Sequence, residues 1–423
     1  MWLCLTGLGI WLLIVVTFQS AMVAKYRGWI LAGRVSPGEF ESPPVAVVLS
    51  LRGTDPSLPD CLNGLSVQNY QNYKVFVVID HADDPAADLV KQTLDGLDKS
   101  RFDCSVAGKP TRKCSLKCDR LVQAISSLPP EYEIVCLIDA DTIPDSNWLA
   151  RLIRPFADSK VSAVTGNRWF RPAGYRWGSC LRYLWNSAAV VQMYVYRIAW
   201  GGSLAIRRTV FEESGLLEKW QTAMYEDVML HDHLRATGGK LHPVPDVLVV
   251  NEEEVSVRGA RKWIGRQLLD ARLYHRQWKL VLLHSLSTVL LWCSLLIALI
   301  VVPMVAQPLC SLAVVIMIVT YQFANFICLY VLEDTAQAMI EYRRAENRES
   351  VNSNWLNFRR MLQMFVYLPI LQFQYARATC YAQFARKVEW RGCEYQIRGP
   401  FNVQLKTWSA FQASGKTRTT SVE

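Results

Sequence analysis

Three acidic groups stand out by residue type and spacing. Asp139-Ala140-Asp141 sets two carboxylates one residue apart. Alternate side chains of an extended segment project to one side, so the pair can address a single cation. Hard divalent ions such as Mg²⁺ or Mn²⁺ take oxygen ligands and bind together with phosphates rather than in all-protein cages. The pair therefore suits a metal-bound diphosphate. Two aspartates at this spacing arise often by chance, but here they follow the apolar run Ile134–Ile138 and precede Thr142-Ile143-Pro144-Asp145. Asp80 ends a second apolar run, with Asp83 close behind it. Glu226-Asp227 is the third group, downstream of Trp200-Gly201-Gly202-Ser203, where glycines let backbone approach a ligand closely. A carboxylate there can act as a general base toward a hydroxyl. It can equally be an acidic pair stabilising the start of a helix over 228–236. Spacing alone leaves both open.

What must position these groups is an alternation of strand and helix. Val45–Leu49, Val75–Ile79, Ile134–Ile138 and Val161–Thr165 are continuous apolar, β-branched runs, as in buried parallel strands. Helical segments lie between them, over Ser57–Gln68 and Ala86–Leu97. That order predicts right-handed crossovers and a doubly wound α/β sheet. Ligands of such sheets sit beyond the carboxyl ends of the strands, where Asp80, Asp139 and Asp141 fall. Carboxylates gathered in one crevice need a cation or hydrogen-bond donors to offset their repulsion.

The rest of the chain is of another kind. It has 423 residues, 51% hydrophobic and 20% charged, with a net charge of +9. Much of the positive charge flanks apolar segments, which points to an anionic membrane surface and not to nucleic acid. Met1–Ala24 carries no charge and exceeds the roughly 20 apolar residues that span a bilayer. It lacks a basic start, which favours an anchor over a cleaved signal peptide. Lys25, Arg27 and Arg34 follow it and predict a cytoplasmic location for what comes next. Leu280–Leu332 contains no Asp, Glu, Lys or Arg and fits two spans turning near Pro303–Pro308. Met361–Tyr375 is shorter and holds Pro369, which reads as a re-entrant or interfacial segment, with a fourth span as the alternative. Of twelve cysteines, only Cys104, Cys114 and Cys118 cluster, and their spacing suits reduced thiols better than a zinc site.

At these residues the chain resembles the family 2 (GT-A) membrane glycosyltransferases, and among them the ceramide glucosyltransferase branch. The resemblance rests on Ile79–Ala86 (IDHADDPA), Ile138–Asp145 (IDADTIPD), Tyr225-Glu226-Asp227 and Glu389–Arg398 (EWRGCEYQIR). Leu116–Asp119 (LKCD) shares only its lysine with the branch's corresponding segment. One departure concerns the branch's Q-x-x-R-W motif. The sequence here reads Trp263–Arg272 (WIGRQLLDAR), so Arg266-Gln267 fits the start while Leu269-Asp270 stands where Arg-Trp is expected. Arg272 and Trp278 are the candidates to substitute.

The resemblance implies a GT-A nucleotide-sugar-binding domain with N-terminal and C-terminal transmembrane helices. It implies a donor side of Arg52, Asp80, Asp83, Lys117, Asp139, Arg266 and Gln267. Asp139 and Asp141 would hold a divalent cation, Mg²⁺ or Mn²⁺. Asp227 would be the catalytic base, with Glu226 beside it. Gly202, Arg272 and Trp278 would form the acceptor side. The expected organisation is an anchor over 1–24, a cytoplasmic GT-A domain over 43–279 and two transmembrane helices in 280–332. A connector over 333–360, a membrane segment over 361–378 and a cytoplasmic tail over 379–423 follow. The expected activity is inverting transfer of a hexose, glucose by the resemblance, from a UDP-sugar to a membrane lipid hydroxyl. A processive polysaccharide synthase is the second enzymatic reading, and a non-catalytic membrane scaffold that kept the fold is a third.

Overall fold

The computed structural model describes residues 1–33, 42–347 and 355–411. Arg34, part of the predicted connector and the end of the predicted tail lie outside these residues. The chain divides into two units. One draws on Met1–Val35, Arg168–Tyr196 and Val250–Phe384, the other on Ser36–Asn167, Arg197–Val249 and Ala385–Glu423.

The second unit is built on a seven-stranded sheet. Its strands are β1 (Val45–Leu51), β2 (Tyr73–Ile79), β3 (Phe102–Val106), β4 (Ile134–Ile138), β5 (Val161–Phe170), β6 (Ser203–Arg207) and β7 (Lys240–Asn251). They lie in the order β3-β2-β1-β4-β6-β5-β7. β1, β2, β3 and β4 are mutually parallel. β6 runs antiparallel to both β4 and β5, so the sheet is mixed. The central strands are apolar throughout because both faces are covered: every residue of β4 is buried, and all of β1 but Ser50.

Register fixes which loops meet. Leu49 of β1 pairs with Val77 of β2 and with Ile138 of β4. The carboxyl ends of these strands therefore share one edge, and the loops that begin at Arg52, Asp80 and Asp139 open there. Ile138 pairs with Ser203 at the start of antiparallel β6, which brings Gly201-Gly202 to the same edge.

A small antiparallel sheet follows, with β8 (Lys387–Trp390), β9 (Cys393–Gly399) and β10 (Asn402–Leu405) in the order β10-β9-β8. Trp390 pairs with Cys393 across a two-residue turn. Arg391 and Gly392 both take positive φ there, 46° and 76°. Two consecutive left-handed residues are what a tight hairpin of right-twisted strands requires.

The first unit is helical. Among the described residues three helices are long and apolar enough to cross a membrane: Trp2–Ala32, Trp278–Val305 and Pro308–Glu346. The first packs onto the other two through Leu5 against Ala298, Val302 and Val314, and Leu12 against Leu291, Leu295 and Tyr321. It continues past Ala24, and Arg27 on its last turns pairs with Asp334 at 2.5 Å. The third runs past Leu332 to Glu346. Residues 361–378 fall within one continuous helix, Phe358–Phe384, with Pro369 inside it.

The helix Pro308–Glu346 carries Glu333 buried, at 2% exposure. Its oxygens accept from Arg171 at 2.5 Å, Trp169 Nε1 at 2.8 Å and Tyr183 at 2.9 Å. A buried acid is tolerable when a cation and further donors satisfy it together, and this one has all three.

Candidate active site

The edge where β1, β2, β4 and β6 meet gathers the acidic groups that the sequence singles out. Lys117 is at its centre. It sits in the first turn of the helix Leu116–Ser126, whose start is capped by the Ser115 hydroxyl accepting from the Cys118 N–H. Its ammonium reaches Asp139 Oδ1 and Glu226 Oε1, each at 2.6 Å. Burial by itself would favour the neutral amine. Asp139, Glu226 and Asp227 outweigh it and hold the lysine charged, well above the usual range. Glu226 is 3% exposed, and burial pushes its carboxyl up to about 7 against the pull of Lys117.

Asp227, next to it, is half-exposed. Its oxygens accept from the backbone N–H groups of Gly201 and Val228, both at 2.8 Å. The approach of Gly201 is close. A Cβ there would lie 2.1 Å from Glu226 Oε1 and 3.3 Å from Lys117 Nζ. At Gly202 a Cβ would strike the Trp200 ring at 2.3 Å. The glycine pair thus lets one backbone turn hold Asp227 and skirt the Lys117–Glu226 pair.

Asp139 is half-exposed and Asp141 follows it on the same loop. The thiol of Cys61 marks their position: burial pushes it up, and then Asp141, Asp139 and Asp55 in that order. Among the described residues no three Asp, Glu, His or Cys side chains are assembled as a complete metal site. A hard divalent cation can be bound by one or two carboxylates and completed by phosphate oxygens and water. Asp139 and Asp141 fit such a shared site.

Asp80 has a different setting, at 1% exposure. Arg120 donates to its Oδ1 through Nε at 2.8 Å, and Arg52 and the Trp408 indole N–H both donate to Oδ2. Trp408 lies at 3.2 Å. Arg120 is itself buried and is tied to Asp119 at 2.8 Å and to the Gly108 carbonyl at 2.9 Å. Asp83 stands apart, its side chain 84% exposed beside His81. Its neighbour Asp84 is buried and accepts from the N–H groups of Gly53 at 3.0 Å and Ala86 at 2.9 Å, which fixes the β1 loop against the following helix.

Arg266, Gln267, Arg272 and Trp278 belong to the helical unit. Gln267 accepts from Arg168 at 2.9 Å. Arg272 donates to the Gln383 carbonyl at 2.9 Å, and Trp278 to the Gln383 side chain at 2.7 Å. The last two thereby brace the helix Phe358–Phe384 within that unit.

Sequence reasoning singles out neither Arg120 nor Trp408. Arg120 offers no signal, since its helix position looks like any charged surface site. Trp408 lies beyond the Glu389–Arg398 motif in a stretch without a pattern of its own.

The sequence profile of glycosyl transferase family 21 matches residues 9–400. No curated protein matches the chain. Among solved structures, the chain is similar to the mannosyltransferase PcManGT from Pyrobaculum calidifontis in complex with GDP-Man and Mn²⁺. Identity is 16% and the TM-score 0.46, over 89% of this chain and 99% of that one. It is also similar to GalNAc-T7 with UDP, GalNAc and Mn²⁺, at 13% identity and a TM-score of 0.39, over 57% of this chain and 50% of that one.

The Lys117 pairing makes a stability prediction. Lys117→Met leaves Glu226 buried without its cation, and breaking such a pair costs on the order of 3 kcal/mol. Adding Glu226→Gln removes the stranded charge and should restore most of the loss. Thermal unfolding of the two single variants and the double variant measures the coupling. A double variant no more stable than Lys117→Met would show that the ion pair does not hold this edge together.

Proposed function

The chain belongs to glycosyl transferase family 21, and from that premise we propose that it moves a hexose from a UDP-sugar to a membrane lipid hydroxyl, with inversion. The observation that carries the reading is the division of labour between adjacent carboxylates. Glu226 is buried under Lys117, while Asp227 is half-exposed at the same edge with its oxygens aimed by backbone amides. One is placed to hold the frame, the other to meet a substrate.

In this reading Asp80 lies at the base end of the donor nucleotide, beside Arg52, and Asp83 is at its rim. Asp139 and Asp141 would hold a divalent cation, which when bound supplies positive charge to the donor diphosphate. Lys117 places a further fixed positive charge at Asp139, toward the same group. Asp227 takes the proton of the acceptor hydroxyl as its oxygen bonds to the sugar's anomeric carbon. The bond to the nucleoside diphosphate breaks with its electron pair on the leaving phosphate. Gly201 aims Asp227 through its backbone N–H at a position where a side chain would strike Glu226, and Gly202 beside it lies on the acceptor side in this reading. The helical unit carries Arg266, Gln267, Arg272 and Trp278, assigned here to the donor phosphates and the lipid headgroup, and sets the protein in the bilayer. Lys25 and Arg27 near the end of the first helix, and Arg272, Arg276 and Lys279 around the start of the second, favour a cytoplasmic catalytic unit.

Membranes incubated with labelled UDP-sugars and then extracted for lipid test the activity as a whole. One labelled sugar on a lipid is expected; a long polymer in its place would overturn the single transfer.

The base assignment predicts that Asp227→Asn loses about 10²–10⁴-fold in turnover, with UDP affinity retained. Glu226→Gln should cost less in turnover. Near wild-type transfer by Asp227→Asn, or a dead Glu226→Gln, would move the base to the other carboxylate.

The cation assignment predicts loss of transfer in excess EDTA, recovered by Mg²⁺ or Mn²⁺, and a matching loss in a folded Asp141→Ala. Full turnover in EDTA would remove the metal from the scheme.

The orientation predicts that a cysteine engineered on the exposed surface of the α/β unit, at Asp83, reacts with an impermeant thiol reagent only after permeabilisation. Labelling of intact cells there would reverse the topology.

A further inference from the structure

The carboxylate assigned to the donor's base is closed off by the chain's own C-terminal stretch. Asp80 is 1% exposed, covered by Arg120, Arg52 and Trp408. Of these three covers, Arg120 is itself buried and tied to Asp119 and Gly108. Arg52 is held from two sides by backbone of the C-terminal region, donating to the carbonyls of Arg391 and Ser409, both at 3.0 Å. Arg391 returns the contact, donating to the Arg52 carbonyl at 2.8 Å and to Asp55 at 3.3 Å.

Trp408 is the cover that can leave. The last backbone pairings of β10 and its extension are Leu405 N–H to the Arg112 carbonyl at 3.0 Å and Lys406 N–H to the Glu394 carbonyl at 2.8 Å. The stretch from Trp408 to Phe411 belongs to no strand or helix and is held by side chains. The Trp408 indole donates to Asp80 Oδ2 at 3.2 Å and meets the His81 ring edge-on at 5.7 Å. Phe411 lies beside the Arg52 guanidinium at 5.8 Å. Its ring also fills the space over Gly53, where a Cβ would come within 2.6 Å. Gly53 takes φ of 71°, so both its conformation and the ring seated on it call for glycine.

We propose that residues 407–411 form a displaceable strap over the nucleotide end of the site. In it the Trp408 indole N–H occupies the carboxylate oxygen that an N–H of the donor's pyrimidine takes when the donor binds. Strap and base compete for one acceptor, so donor binding lifts the strap and a seated strap weakens donor binding. The inference rests on the assignment of Asp80 to the base.

The test uses the full-length protein in detergent, with UDP as the probe. Trp408→Phe keeps a ring and removes the competing N–H. A hydrogen bond to a charged group suggests UDP binding about ten-fold tighter by calorimetry. Phe411→Ala, which unseats the strap from Gly53, should tighten binding in the same direction. In the unsubstituted protein, backbone amides over 407–411 should exchange with deuterium faster when UDP is present. Weaker or unchanged UDP binding by Trp408→Phe, or slower exchange of 407–411 with UDP, would overturn the strap. Asp80→Asn separates the two ideas: it should weaken UDP binding. If it binds UDP as the unsubstituted protein does, the base assignment fails and the competition falls with it; if it weakens binding while Trp408→Phe does not tighten it, the strap alone fails.

Discussion

The ammonium of Lys117, shared between Asp139 and Glu226, is the interaction on which this edge of the sheet depends. Burial raises the proton affinity of Glu226, and Asp227 and Asp139 are close enough to raise it further. Without a cation among them, the edge could keep its shape only by protonating a carboxylate or letting water in. Lys117 solves this from a position set by the sheet. Its helix begins beside the β4 loop, and the Ser115 cap fixes the first turn so that the long side chain points inward. Buried ion pairs are seldom a net source of stability. What this one supplies is placement, since Asp139 and Glu226 each answer to one fixed charge.

A parallel sheet makes that economy workable. Because β1, β2 and β4 run the same way in matched register, three loops open on one edge with no further instruction. Antiparallel β6 contributes a fourth from its start, and it supplies the glycines. Each loop then needs one local device. Asp84 anchors the β1 loop. Arg120 pins the β2 loop through Asp80. The hairpin turn at Arg391 and Gly392 reaches back to Arg52 and Asp55.

How much of this is legible in the sequence follows from where the partners lie. Val45–Leu49, Val75–Ile79 and Ile134–Ile138 announce β1, β2 and β4, because strands buried on both faces are apolar without interruption, and Val161–Thr165 announces β5 through its valines despite Ser162 and Thr165. β3 escapes because it is an edge strand with only Phe102 buried. β6 escapes because five residues, SLAIR, are too short to show a period. The Asp-x-Asp pair and Glu226-Asp227 are visible because strand ends and glycines frame them. Arg120 is not, since it acts through a side chain on a helix whose sequence carries no mark of it, and Lys117 is reached only through the resemblance. The same holds in the helical unit. Glu333 looks like the end of an apolar span, yet its helix continues, because Arg171, Trp169 and Tyr183 satisfy the acid from more than 140 residues away. Charge in a sequence marks a boundary only when its partner is water.

Four acids of the two units each face a cation, and Asp227 differs from them. Glu333 has Arg171, Glu226 and Asp139 have Lys117, and Asp80 has Arg52 and Arg120. A proton arriving at any of these would cancel a charge that an adjacent cation needs, and would weaken the fold locally. Asp227 takes its two hydrogen bonds from backbone amides, which orient a carboxylate without demanding that it stay charged as strictly as an ammonium does. It is also more open than Glu226, which shares its loop. A group that must gain a proton in each cycle and lose it again is best placed where neither state dismantles an ion pair. In the proposed reading, Asp227, held by backbone amides, suits that role better than Glu226, which faces the Lys117 ammonium.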